Sequence, residues 1–305
     1  MVAFLADGEH IVSGGKAGKI RRWRAEDGNE VETPIDVGND VCSLAVSRDG
    51  KWIVTGLGSG QVRVWDTKSH RKVTEFQGHD GGVFALDVSP DGTKIVTGSD
   101  DWTVCVWSLS TGRRLLGPLK HDFALATVKF SPDGRLIATA TWERNSVRIY
   151  NSGTDRLPVT FPICVNSYRS QSLAWAGDSR QLFVLSYDGN IHRLDVSTGR
   201  SLSKWAIRDS SDEPTCISLD NNGAFIAAST ASSVSFWDTT THAQIGFVIR
   251  HPACIDSMAI SENHDLVIGG GTKITLRSLQ GTFSDPEAYA GVHNKQAQQQ
   301  PREWS

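Results

Sequence analysis

Apolar and polar residues alternate over short stretches along most of the chain, as in Leu86-Asp87-Val88-Ser89 and Val128-Lys129-Phe130-Ser131. A period of two turns one face of an extended segment inward and the other to solvent, which predicts half-buried β-strands. Turn sequences follow these stretches at Asp7-Gly8, Asp49-Gly50, Asp91-Gly92, Asp133-Gly134, Asp178-Ser179, Asn222-Gly223 and Asn263-His264. Each turn precedes a compact apolar run, such as Ile53-Val54, Ile95-Val96 or Phe225-Ile226-Ala227. Strand, Asp-Gly turn and strand together read as an antiparallel hairpin. No stretch within the array shows a sustained helical period.

A further strand follows each hairpin and ends on Trp23, Trp65, Trp107, Tyr150, Leu194, Trp237 or Arg277. Successive end residues are 42, 42, 43, 44, 43 and 40 positions apart. Two markers moving in step define seven repeats, each read as strands a, b, c and d. One such sheet is too small to bury both faces, so the units must stack on one another. The expected fold is all-β, a seven-bladed β-propeller. Its repeats fall at about 1–40, 41–82, 83–124, 125–168, 169–213, 214–253 and 254–279. The pattern stops after strand c of the last repeat, so that blade is expected to be incomplete. Residues 280–305, with Gln296-Ala297-Gln298-Gln299-Gln300-Pro301, have too little apolar area to offset ordering entropy and are expected to form a disordered polar tail.

These units resemble the WD40 repeat family over roughly residues 1–279. Trp65-Asp66 and Trp237-Asp238 match its signature dipeptide, Trp23-Arg24, Trp107-Ser108 and Tyr150-Asn151 are variants, and Gly78-His79 matches its Gly-His pair. The resemblance implies a structural hydrogen-bonded network in the third repeat from His79, Asp101, Thr97 or Ser99, and Trp107. His121 and His251 are expected to act similarly for the fourth and seventh repeats, whereas Leu194 breaks the pattern and the second repeat lacks a preceding His. The Ser-Pro-Asp-Gly turns, Ser89 to Gly92 and Ser131 to Gly134, are similar to those of fungal WD40 repeat-like proteins, including arrays in NACHT-type receptors.

Composition narrows the function classes. The chain is 39% hydrophobic and 21% charged with a formal net charge of −3, which argues against a dedicated nucleic-acid or anionic-membrane binder. Lys16, Lys19, Arg21, Arg22 and Arg24 crowd the first repeat, but strand alternation divides them between two faces. Five scattered cysteines (Cys42, Cys105, Cys164, Cys216, Cys254), none in a CxxC pair, fit small strand hydrophobes in a reducing compartment, cytoplasm or nucleus. No signal-peptide pattern and no apolar run long enough for a membrane helix is found.

Catalytic patterns fail on their spacing. Gly14-Gly15-Lys16-Ala17-Gly18-Lys19 lacks the phosphate-loop interval, and Ile20 stands where Ser or Thr is required. The nine His form no metal-ligand motif, and no G-x-S-x-G elbow occurs. The chain is expected to be no enzyme and to use no cofactor or metal.

Function is therefore expected on the rim where the d–a and b–c loops meet. The resemblance places Lys16, Asp40, Phe84, Asp100, Trp102, Trp142, Arg144, Arg169, Tyr187 and Glu213 there. Aromatics with Arg are the composition of interface hot spots. The leading expectation is a protein-protein interaction scaffold or adaptor that takes proteins or peptides on this rim and at the central opening. The alternative is a ligand-sensing repeat module of a larger NACHT-type protein, with nucleic-acid binding ranked below both.

Overall fold

The computed structural model describes residues 1–142, 146–154, 156, 159–165, 172–207 and 214–279, together with the backbone of 302–304. Seven four-stranded antiparallel sheets make up the described chain, which contains no helix. Blade 3 is representative, with strands a to d at Val83–Val88, Lys94–Ser99, Thr103–Ser108 and Arg114–Lys120. Blades 1 and 2 begin at Val2–Phe4 and Val41–Val46, and blades 4, 5 and 6 at Leu125–Phe130, Leu173–Trp175 and Pro214–Leu219. Strands a of neighbouring blades touch around the ring, which places them innermost.

The hairpin turns show why Ser and Asp recur. In blade 3 the Ser89 hydroxyl donates to Asp91 at 2.5 Å, Asp91 accepts the Thr93 amide at 3.0 Å, and Ser89 accepts the Lys94 amide at 2.9 Å. Ser47 with Asp49 and Ser131 with Asp133 repeat the arrangement. The Asp of the Trp-Asp dipeptide plays a like part at the c–d turn, where Asp66 accepts the amides of Lys68 and Ser69 at 3.1 and 2.6 Å. These are Asx turns, and they fix strand register locally.

The core lies between blades rather than within them. Seven apolar clusters each join two consecutive blades, one of them Val54, Val64 and Val83 with Trp107. The Gly at the inner end of strand b sets the approach. A Cβ on Gly14, Gly56, Gly98 or Gly269 would lie 2.9, 2.6, 2.7 or 2.8 Å from Val41, Val83, Leu125 or Val2 of the next blade. The last of these pairs joins blade 7 to blade 1, so the ring closes with the contact it uses elsewhere.

The seventh repeat supplies three consecutive strands, Ser257–Ile260, Asp265–Gly270 and Lys273–Ser278. Its outer edge is met by Arg302–Trp304, which pairs with strand c as Ile274↔Trp304, Thr275↔Glu303 and Leu276↔Arg302. The rest of the segment expected to be a polar tail lies outside the described residues.

Candidate functional site

In blade 3 the sequence-derived network assembles around Thr97. The Trp107 indole N–H donates to Thr97 Oγ1 at 2.8 Å, and His79 Nε2 lies 2.7 Å from the same oxygen. An indole only donates, so the Thr97 hydroxyl hydrogen is left for His79 Nε2. His79 Nδ1–H then donates to Asp101 Oδ2 at 2.8 Å. Thr103 donates to the other Asp101 oxygen through its hydroxyl at 2.7 Å and its amide at 2.9 Å. Ser99 stands apart, accepting the Asp101 amide at 3.1 Å. Burial pushes the His79 pKa down, which keeps the ring neutral. Burial works against charge on Asp101, but hydrogen bonds from Thr103, the Asp80 amide and His79 hold it below the usual carboxylate range. The His79 side chain is 0% exposed with both nitrogens engaged, so this His–Asp pair offers no base to a substrate.

Other blades keep parts of this arrangement. Trp23 donates to Ser13 and Trp65 to Thr55, at 2.8 and 3.1 Å. In blade 4, His121 Nε2 meets Thr139 at 3.0 Å and the Tyr150 hydroxyl at 3.5 Å, and burial pushes its pKa down to about 4. His251 departs from expectation. Its Nδ1 lies 2.8 Å from the Ala253 carbonyl, and its buried Nε2 has no partner among the described residues, because Ile268 takes the strand-b position in blade 7 that the Thr97 hydroxyl holds in blade 3. Trp237 has Ala227 ten residues before it and turns instead to Ser235 at 2.8 Å.

On the rim, backbone bonds tie each b–c loop to the d–a loop beside it: Gly58 N to Asp40 O, Asp100 N to Gly82 O, and Trp142 N to Ala124 O, at 3.1, 3.0 and 2.9 Å. The residue just before strand c is Gly18, Gly60 and Gly189 in blades 1, 2 and 5, with φ of 63, 83 and 75°. In blade 3 the same slot holds Trp102 at φ 67°. Left-handed backbone suits Gly and strains a bulky residue. Trp102 is nonetheless 51% exposed, its ring stacked on Phe123 at 5.8 Å and 26°. Phe123 belongs to the loop joining blades 3 and 4. A second pair crosses the same boundary: Phe84 lies over Gly82 and tilts against Trp142 of blade 4, with ring centroids 5.4 Å apart.

The structure thus brings together Phe84, Asp100, Trp102 and Trp142 of the expected rim residues, and adds Phe123. Lys16 and Asp40 are exposed on the loops of blades 1 and 2. Tyr187 is 56% exposed on blade 5, apart from the aromatic pairs. Arg144, Arg169 and Glu213 lie outside the described residues.

Three stretches of the chain, residues 33–66, 70–108 and 114–151, match the WD40 family profile, described as WD domain, G-beta repeat. The chain carries WD40 repeats. A search of curated proteins returned no match. Each matched WD40 stretch begins at or near strand d of one blade and ends with strand c of the next, so the sequence repeat straddles the structural boundary. WD40 propellers are in general protein-interaction modules and typically not enzymes.

Two further expectations for this WD40 propeller need adjustment. Cys105 and Cys216 are buried strand residues, but Cys42 and Cys164 are only partly buried and Cys254 is exposed. All five are free. The basic cluster of the first repeat is largely neutralised: Arg21 pairs with Glu30, Arg22 lies 3.6 Å from both Asp7 and Glu32, and Arg24 pairs with Asp27. Such pairing answers three of the five basic residues.

Proposed function

We propose that this WD40 propeller is a protein-interaction scaffold or adaptor that holds its partner on the d–a and b–c rim, chiefly over blades 3 and 4. One observation carries the reading. Trp102 occupies a backbone slot that three other blades give to Gly, and its indole is held outward against Phe123. Strain kept at an exposed aromatic points to binding, because it contributes nothing to the buried core. The free cysteines fit action in the cytoplasm or nucleus.

The test compares affinity capture from the native source by wild type, Trp102→Gly and Trp142→Ala. Both variants should lose most of the proteins that wild type retains. Trp102→Gly should melt within a few degrees of it, whereas Trp142→Ala should melt lower because its ring also packs on the core between blades 4 and 5. An unchanged capture profile would remove the site. A ligand-sensing module within a larger NACHT-type protein is the second reading, supported by the Ser-Pro-Asp-Gly turns of blades 3 and 4. An adjoining upstream reading frame for a nucleotide-binding domain would favour it.

A further inference from the structure

We propose that the rim of blades 2 to 4 takes a cationic, extended segment of the partner, with an Arg or Lys stacked on Trp102 and its neighbours paired with Asp80, Asp100 and Asp40. This rests on the rim reading above and names the chemistry of what binds there.

Unpaired acids beside an exposed aromatic motivate the proposal. Some surface carboxylates are answered by a cation, Glu30 by Arg21, Asp27 by Arg24, Asp87 by Lys129 and Asp188 by Lys204. Others, such as Glu9, Glu26 and Asp36, form no ion pair among the described residues but have no exposed aromatic stacked beside them. In this sector the arginines of strand c are already taken, Arg63 by Glu75 and Arg148 by Asp122. Asp40, Asp80 and Asp100 are exposed and form no ion pair among the described residues. His79 and His121, buried beneath the same loops, are neutral and supply no compensating charge.

These carboxylates and the aromatics share one surface. Asp100 precedes the Asp101-Trp102 turn, and the Asp80 amide donates to Asp101 at 3.1 Å, so the two acids stand on either side of that turn. A Cβ on Gly81 would lie 3.2 Å from Asp100, and one on Gly58 would lie 3.8 Å from Asp40. Glycines therefore pack directly against Asp100 and Asp40 on this surface. A guanidinium or ammonium over an exposed indole is attracted to its face, and exposed ion pairs beside it add. Each contact is worth roughly a two- to fivefold change in affinity, so several are needed together. Anionic partners, nucleic acid included, would meet repulsion on this face.

The experiment titrates the full chain with short fluorescent peptides of Gly and Ser in which every third residue is Arg, Gln or Glu. The Arg peptide should bind, weaken as salt is raised, and weaken about tenfold for Asp80→Asn/Asp100→Asn and at least fivefold for Trp102→Gly. Trp102→Phe should retain most binding, and Glu26→Gln on the opposite rim should change nothing. Equal binding of the Gln peptide overturns the proposal. So does Arg-peptide binding that ignores both rim variants, which would mark general attraction to an acidic protein. Retention of an RNA oligomer that depends on Trp102 overturns it as well. If no peptide binds but native-partner capture is still lost with Trp102→Gly, the cationic assignment fails and the rim stands; if Trp102→Gly spares capture and peptide binding alike, both fail.

Discussion

Thr97 joins two buried groups that would otherwise face each other unpaired, the His79 Nε2 acceptor and the Trp107 N–H donor. Thr97→Val keeps the shape and deletes the oxygen, so the expected loss is about 2–3 kcal/mol in urea unfolding, mostly from stranding those partners. Ser99→Ala removes only an acceptor beside a turn and should cost under about 1 kcal/mol. Equal losses would refute Thr97 as the hub. The sequence left Thr97 and Ser99 open because two residues apart on a strand they share a face. The deciding signal is an interval: Ser13, Thr55 and Thr97 each stand ten positions before the Trp they accept from. His121 carries the pH dependence at this scale. Its folded pKa of about 4 lies below the free value near 6.5, so the unfolded chain binds the proton first as pH falls. Stability is complete above about pH 6.5 and is lost on acidification toward pH 4, by up to about 3 kcal/mol. His79, depressed in the same direction, adds to the slope. His121→Gln should flatten the stability-against-pH curve in this window; an unaltered slope would mean that His121 titrates normally.

At the scale of elements, the b–c loop of blade 3 separates stability from binding. Replacing a structural Trp by Gly should cost about 3–5 kcal/mol. Trp102→Gly instead relieves left-handed strain of order 1 kcal/mol, offset by the lost stacking on Phe123 and a freer unfolded chain. The net change should stay within about 1 kcal/mol by thermal or urea melting, and a loss above about 3 kcal/mol would show the indole to be part of the fold. The strands and turns were legible because each repeats a local rule: period-two apolarity, an Asp–Gly turn, an aromatic ending strand c. The aromatic pairs were not. Phe123 sits in a d–a loop with no repeating mark, and its contact with Trp102 exists only after blades 3 and 4 are docked. Arg302–Trp304 was hidden for a related reason, since three residues are too few to show a strand period.

Across the whole molecule, the seam between blades 7 and 1 is the weakest link in the ring. Its cluster holds seven buried residues, Val2, Ile11, Trp23, Ala25, Val267, Ile274 and Leu276, against twelve at the junction of blades 4 and 5. A polar groove lined by His10, Arg24, Glu26 and Arg277 opens beside it. No described blade combines strands from both ends of the sequence, so packing and a few hydrogen bonds, such as Val2 N to Ser257 Oγ at 2.8 Å, close the ring. Cooperative units with less buried apolar area open first. Amide hydrogen exchange should therefore be fastest, among strands b and c, in blades 1 and 7. Gly269→Ala sharpens the test, because its Cβ would stand 2.8 Å from Val2 Cγ1 and force the seam apart at about 1–3 kcal/mol. The added exchange should concentrate in the two seam blades, and Val2→Ala should recover part of the loss by clearing the methyl. Exchange that rises evenly around all seven blades, or a double variant no more stable than Gly269→Ala alone, would mean that the ring opens as one unit and that this contact does not hold it shut.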